Sequence, residues 1–329
     1  MISYRLLQSF VRFGLKWYVV DLQCKNLDYG EHKLPSIVVA NHPNSFFDAI
    51  LVAAYSKSEI RFLTRGDIFN KTWTNWLLRS LYMLPIYKRN DDPDAEIKNA
   101  FTMDEAVKFM QEGKRIFIFP EGVSRNKYQL QHFMPGGISQ LIQRAVHRDV
   151  PVQVQPYVLA YSSFDYVPKA ASIEALSPLD CTNYMVDGIV DVSVVLSGLR
   201  EKMEFSIPPE SIDPNPVTNT TKEWMKIPAQ IGQILHQHLY RYVKGQVKLK
   251  TDGTIFFDSI LFGVLLFGYP LLVLLISCLI GQLIGFWTGL FVFLLLPFTS
   301  YCWVNYSKIK VDKEMHPNRK NSLNKKPAL

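Results

Sequence analysis

Of the 329 residues, 48 % are hydrophobic and 20 % charged, with 36 Lys and Arg against 29 Asp and Glu for a formal charge of +7. That balance excludes a disordered or fibrous chain. A mean hydropathy of +0.03 beside a pI near 9.0 is apolar for a basic protein, and it points the positive surface toward anionic lipid. Nucleic-acid readout needs a basic helix or an aromatic-basic sheet face and no long apolar runs, and neither element is present.

The first twenty residues are apolar but broken by Arg5, Arg12 and Lys16. The uncharged run between Arg5 and Arg12 is too short for a signal-peptide core. The basic residues and Phe10, Phe13, Trp17 and Tyr18 suit an amphipathic helix lying in the headgroup plane, with a helix packed on the following domain as the alternative. Without a signal peptide, the middle of the chain is expected in the cytosol.

Short apolar runs then alternate with helical patterns. Residues 34–40, 60–63, 81–87, 115–119 and 152–161 read as strands. Between the third and fourth, residues 94–111 place Ile97, Ala100, Phe101, Ala106, Val107, Phe109 and Met110 at helical spacing, closed by Gly113. This alternation predicts an α/β fold, a mostly parallel sheet covered by helices. Residues 189–196 read as another strand, the four-proline stretch 207–220 as a loop, and residues 224–243 as a helix. His236 and His238 on that helix read as surface residues. The Asn219-Thr220-Thr221 sequon carries no meaning in a cytosolic segment.

Between Asp258 and Lys308 no residue is charged. One transmembrane pass takes ~20 apolar residues, so this stretch holds two, with a turn expected within residues 277–285 and with Pro270 and Pro297 inside the helices. Lys244, Lys248 and Lys250 precede it, and Lys308, Lys310, Lys313, Arg319, Lys320, Lys325 and Lys326 follow it. Positive charge on both flanks puts both ends on the cytoplasmic side, which an even number of passes satisfies. The expected organisation is an interfacial segment at 1–30, an α/β domain at 31–250 with its motif core at 30–165, a transmembrane hairpin at 254–307 and a basic cytoplasmic tail at 308–329. Cys24, Cys181, Cys278 and Cys302 lie far apart without metal or disulfide spacing, and read as reduced, inert thiols.

Ligands of open α/β sheets bind at the carboxyl ends of strands. There the sequence places Asn41-His42-Pro43-Asn44-Ser45-Phe46-Phe47-Asp48 after the first run, Lys88-Arg89 after the third, and Pro120-Glu121-Gly122-Val123-Ser124-Arg125 after the fourth. A histidine and a carboxylate at this spacing can act as a base and its orienter. Ser45 and Asp48 also read as a helix capping box. Lys88, Arg89 and Arg125 are phosphate-binding candidates and equally ordinary surface charges.

This arrangement resembles the glycerolipid acyltransferase family of the PlsC type over roughly residues 30–165. Its Asn-His-x-Ser-x-x-Asp block is similar to residues 41–48 with one additional residue between His42 and Ser45. Phe-Pro-Glu-Gly-Thr-Arg resembles residues 119–125, again with one insertion. The block ending in an arginine after an Ile-Pro-Val type strand matches Leu84-Pro85-Ile86-Tyr87-Lys88-Arg89 in either of two registers. Val154-Gln155-Pro156-Tyr157-Val158 resembles the fourth block, whose proline helps shape the donor side. Residues 133–136 resemble the downstream Phe-x-x-Gly segment, without its common lysine. The wider His-to-Asp spacing is also found among fungal glycerol-3-phosphate or dihydroxyacetone-phosphate acyltransferases.

The resemblance implies transfer of a fatty acyl group from a thioester, acyl-CoA or acyl carrier protein, to a hydroxyl of glycerol-3-phosphate or 1-acylglycerol-3-phosphate. His42 would be the general base and Asp48 its orienter. Lys88 or Arg89, with Arg125, would hold the phosphate, and Glu121 and Gly122 would bind acceptor through the carboxylate and the turn backbone. No metal and no cofactor beyond the thioester co-substrate are implied. The expected partners are the bilayer, the donor and the acceptor, with no nucleic acid, and the expected location is an integral membrane protein with a cytoplasmic catalytic domain. A transacylase, an enzyme of another lysolipid and a silent lipid-binding protein are the alternatives. The hairpin lies outside the family core and is assigned no catalytic role.

Overall fold

The structure, a computed structural model, describes residues 4–31, 34–88, 90–208, 210–213 and 223–309. Arg89, the sequon at 219–221 and the tail lysines and arginine from Lys310 onward lie outside the described residues. In chain order the elements are α1 (Tyr4–Leu15), β1 (Val19–Lys25), β2 (Ser36–Ala40), α2 (Phe46–Tyr55), β3 (Ile60–Arg65), α3 (Thr72–Ser80), β4 (Met83–Ile86), α4 (Ala95–Gln111), β5 (Arg115–Ile118) and α5 (Pro135–Val146). There follow β6 (Gln153–Tyr161), β7 (Lys169–Ala175), β8 (Leu179–Asp180), β9 (Met185–Val186), β10 (Ile189–Val190), α6 (Val192–Ser206), α7 (Lys226–Thr251), α8 (Phe257–Ile284) and α9 (Phe286–Tyr306).

One eight-stranded sheet runs β1-β7-β6-β2-β5-β3-β4, with β8 also on β6. The five strands from β6 to β4 are parallel, whereas β7 pairs antiparallel with β6, and β1 runs parallel to β7. All five residues of β2 are buried, as a strand covered on both faces requires. Its side chains alternate between two cores. Val38 and Ala40 join the core under α2 and α8, and Ile37 and Val39 join the one under α4, α5 and α6. Pro156 is tolerated in mid-sheet because it falls where the neighbour of β6 changes from β8, at Gln153 and Val154, to β7, from Tyr157 onward.

The expected α/β class and the five predicted strands are present. Residues 189–196 differ, because only Ile189 and Val190 are extended. Asp191 then caps α6 by accepting from the Ser193 and Val194 amides, and Val192, Val195, Leu199 and Met203 form its buried stripe. Run length and β-branching suggested a strand, and the cap with helical spacing prevails. Residues 19–25, grouped by sequence with the interfacial segment, form β1 of the main sheet. A boundary at residue 30 therefore cuts the α/β unit.

The amphipathic α1 packs on α2. Gln8 Nε2 donates to the Ala53 and Ser56 carbonyls at 2.7 and 2.6 Å, and Arg12 donates to that of Ala54, satisfying orphan carbonyls of the last turn. Phe10 meets Phe267 of α8, while Leu6 and Phe13 remain exposed. Packing on the domain is thus the arrangement of one face of α1.

Helices α8 and α9, of 28 and 21 residues, are long and apolar enough to cross a membrane, and less than a third of the most apolar stretch of either is buried. The expected turn at 277–285 contracts to Gly285, whose φ of 132° suits glycine. Pro270 and Pro297 lie inside the helices as expected. Helix α7 lies against α9, with Tyr240 edge-on to Trp303. His236 is therefore buried rather than on the surface, its Nδ1 2.8 Å from the Gly232 carbonyl and its Nε2 3.0 Å from the Tyr269 hydroxyl. The sequence reading placed His236 on the surface because its packing partner comes from the hairpin, far along the chain.

Candidate active site

Because β2, β5, β3 and β4 are parallel, the segments after them share one sheet edge. At the end of β2, Asn41 braces the strand: its Nδ2 donates to the Leu159 carbonyl at 2.8 Å, and its Oδ1 accepts from the Leu159 amide at 2.7 Å. The chain then turns, and His42 Nδ1 comes 2.9 Å from Asp48 Oδ2. Asp48 is fully buried in the first turn of α2, whereas 15 % of the His42 side chain is exposed. The same Oδ2 accepts from the Asn44 amide at 2.7 Å, and Oδ1 accepts from the Tyr161 hydroxyl at 2.8 Å.

An ionised Asp48 offers only acceptors, so Nδ1 of a neutral His42 carries the proton and Nε2 holds the lone pair. Burial pushes the Asp48 carboxyl above its usual range, opposed by His42, the Asn44 amide and Tyr161. Burial and the Asp48 charge hold the Tyr161 phenol well above its ordinary value, which keeps it a donor. The imidazole stacks on Phe119, with centroids 3.5 Å apart and planes at 8°, so the ring is fixed by packing as well as by its bond to Asp48.

The expected capping box is not formed. Ser45 makes no side-chain cap bond and adopts φ 52°, a left-handed conformation costly for a residue with a Cβ. Its amide instead donates to Ser124 Oγ at 2.8 Å, and Asp48 turns to His42 rather than to the helix cap.

The loop after β5 supports His42 from the other side. Glu121 Oε1 accepts from the His42 amide at 3.2 Å, and the Arg125 amide donates to the His42 carbonyl at 3.3 Å. Gly122 sits at φ 67°, and a Cβ there would lie 2.7 Å from Met134 Sδ, so this turn requires glycine. Arg125 is exposed beside His42. Lys88 is exposed after β4 and lines a depression of about 100 Å³ with Arg65, Asp67, Asn70, Asp91 and Asp92. Lys88 follows β4 and Arg125 follows β5, two strand spacings of ~4.8 Å apart in the sheet. Arg65, at the end of β3, is held by Asp67 with N–O distances of 3.1 and 2.5 Å.

Burial pushes Glu121 up to about 7, with the Asp48 charge adding to the rise and the His42 and Gln131 amides opposing it. The folded state thus holds this proton more tightly than the unfolded chain does. The resulting stability is complete below pH 4.5 and is lost as the pH rises through about 7, a change of roughly 3 kcal/mol. Glu121→Gln keeps an acceptor for the His42 amide and removes the titration. Denaturant unfolding in detergent between pH 5 and pH 8 is expected to show a smaller loss of stability for the variant than for the native protein, and equal losses would contradict it.

Fold and site together define an α/β protein with a histidine–carboxylate dyad at the strand ends. Residues 21–159 match the family described as Acyltransferase. Among curated proteins there is no significant match. The solved chains that match include the 1-acyl-sn-glycerophosphate (LPA) acyltransferase PlsC from Thermotoga maritima, with a TM-score of 0.44 at 17 % identity, covering 62 % of this chain and 79 % of that one.

Four contributors were not singled out in the sequence: Phe119, Ser124, Tyr161 and Asp258, the last described below. Ser124 stood within the 120–125 stretch, but its burial appears only in the structure. Tyr161, at the end of β6, is at the same sheet edge as His42.

Proposed function

We propose that the protein is a membrane-bound O-acyltransferase that moves a fatty acyl group from an acyl thioester, carried by coenzyme A or acyl carrier protein, to a hydroxyl of glycerol-3-phosphate or 1-acylglycerol-3-phosphate. The observation that carries this reading is the His42–Asp48 pair, with Nδ1 engaged at 2.9 Å and the ring partly open at the sheet edge. His42 Nε2 takes the proton of the acceptor hydroxyl as its oxygen attacks the thioester carbonyl. Asp48 holds the ring and stabilises the imidazolium that forms. Collapse of the tetrahedral adduct breaks the carbon–sulfur bond, and the proton on Nε2 passes to the departing thiolate. Ester and thiol leave, and His42 is neutral again. General-base catalysis supplies ~10²–10⁴ in rate, with the remainder from positioning.

For the acceptor phosphate, Arg125 is the candidate cation whose backbone amide bonds the His42 carbonyl. Lys88, with Arg89 beside it in sequence, would serve an acceptor extending along the sheet edge. Glu121 would act through the His42 loop it braces, and Gly122 through the turn it permits. Arg125→Ala removes one charge-assisted contact and is expected to raise the acceptor KM about 10-fold or more with kcat little changed. A kcat loss at constant KM, in steady-state assays over acceptor concentration, would remove Arg125 from phosphate binding.

Both substrates or their acyl chains reside in or at a bilayer. Seating α8 and α9 in the membrane would place this edge where an acyl chain need not leave lipid at ~0.8 kcal/mol per CH₂. Lysines on α7 and beyond α9 would keep the catalytic side cytoplasmic. Acyl transfer by the purified protein in mixed micelles, with labelled acyl-CoA or acyl carrier protein donors and each acceptor in turn, tests the reading. Turnover with one acceptor supports it, and absence of turnover with every pair in a folded protein rejects it.

A further inference from the structure

The first turn of α8 is docked into the dyad loop. Asp258 is 1 % exposed and its Oδ2 lies 2.6 Å from Lys169 Nζ, itself fully buried at the start of β7. The same Oδ2 accepts from Asn44 Nδ2 at 2.6 Å, and Oδ1 accepts from the Tyr18 hydroxyl at 2.6 Å. The next residue, Ser259, accepts through Oγ from the Phe47 amide at 3.0 Å. Phe262, one turn on, packs edge-to-face against both Phe47 and Tyr18.

Asn44 links this cluster to the dyad. Its side chain reaches Asp258, while its backbone amide donates to Asp48 Oδ2, the oxygen that faces His42. Among the described residues its Oδ1 is buried without a partner, so the bond its NH₂ makes comes at a cost in polar satisfaction. Asn44 also lies within the stretch from His42 to Ser45 that is one residue longer than the family block. The following residue, Ser45, is left-handed at φ 52°, a conformation that persists only where surrounding bonds over-determine it. Those bonds are Ser124 to the Ser45 amide, Ser259 to the Phe47 amide and Asp258 to Asn44. The extra loop residue and the apolar hairpin, two of the departures from the family pattern, meet at one hydrogen bond.

We propose that Asp258 and Ser259 are positioning residues of the His42–Asp48 pair, so that the head of the C-terminal hairpin is a working part of the site, acting through Asn44. The inference rests on the acyltransferase reading for its kinetic consequence and on the loop geometry alone for its structural one. An uncoupled loop would let Asp48 and His42 drift, and misplacement of ~1 Å costs ~10² in rate.

Three changes in the full-length protein test it. Asn44→Ala leaves the Lys169–Asp258 pair and Tyr18 intact, and is expected to lower kcat ~10²-fold with both KM values within about 2-fold, and to speed amide hydrogen exchange across residues 42–48. Two uncharged pairs then separate positioning from folding. Lys169→Met with Asp258→Asn keeps an acceptor for Asn44, and Lys169→Met with Asp258→Leu removes it. The first is expected to restore most of the kcat that the second loses, with both assayed well below their unfolding midpoints. Native kcat in Asn44→Ala, or equal kcat in the two pairs, would overturn the proposal. If the native protein turns over no acyl donor, the acyltransferase reading fails, and the exchange arm still decides: unchanged exchange at 42–48 in Asn44→Ala rejects the positioning role, and faster exchange supports it.

Discussion

His42→Ala is expected to reduce kcat of acyl transfer by ~10²–10⁴-fold, with KM for donor and acceptor within a few-fold of native. The ring is the sole base candidate of the dyad, and its loss leaves Phe119 and the strand ends in place. Asp48→Asn is the sharper probe. Asp48 Oδ2 faces two donors, His42 Nδ1 and the Asn44 amide, while Oδ1 faces the Tyr161 hydroxyl. An asparagine satisfies this only with its oxygen toward His42 and its NH₂ toward Tyr161, which then turns to accept. The tautomer survives, and the charge that stabilises the imidazolium does not. The expected kcat loss is about 10²-fold. Because the two residues act as a unit, the double variant is expected to lose little more than His42→Ala alone. Steady-state kinetics in mixed micelles check all three, and losses that multiply would show that His42 and Asp48 act independently.

The sequence carried the dyad because it is local. The two residues lie six apart, in the turn after β2 and the first turn of α2, and strand ends of an α/β sheet mark the ligand edge. What surrounds the dyad comes from far along the chain. Tyr161 is 113 residues from Asp48, Ser124 is 79 from Ser45, and Asp258 is 214 from Asn44. No periodicity announces such pairings, which exist only once the sheet order is set. Lys169 shows the same limit, since a lone lysine after a proline reads as surface and here is fully buried. The strand reading of 189–196 failed for the opposite reason. It weighed the β-branched run and passed over Asp191 as a cap. Asp258 did leave a signal, being the last charge before a long uncharged run. It was read as the boundary of a membrane segment, although an acid at the head of an apolar helix calls for a partner.

That partner dictates the largest expected effect on stability. Lys169→Met leaves Asp258 buried without its counter-charge and is expected to cost about 3–5 kcal/mol. The exposed Arg79–Glu105 pair, at 3.0 Å and with both side chains more than a third accessible, provides the contrast. Arg79→Ala is expected to cost less than about 1 kcal/mol and to lose even that in high salt. In many buried pairs, replacing both charges by apolar groups recovers the loss. Here the recovery depends on what stands at 258, because Asn44 and Tyr18 also draw on that carboxylate. With Lys169→Met and Asp258→Leu, the Asn44 side-chain NH₂ loses its acceptor at about 1–3 kcal/mol, while the Tyr18 hydroxyl keeps the backbone carbonyl of residue 258, 3.1 Å away, so recovery is expected to be partial. Asp258→Asn in the same background retains one acceptor and is expected to recover more. Equilibrium unfolding in detergent at low and high salt measures each. If the leucine and asparagine pairs recover equally, Asp258 serves only to neutralise Lys169. If asparagine is better, the carboxylate is also held for the hydrogen bonds that tie the hairpin to the loop of His42.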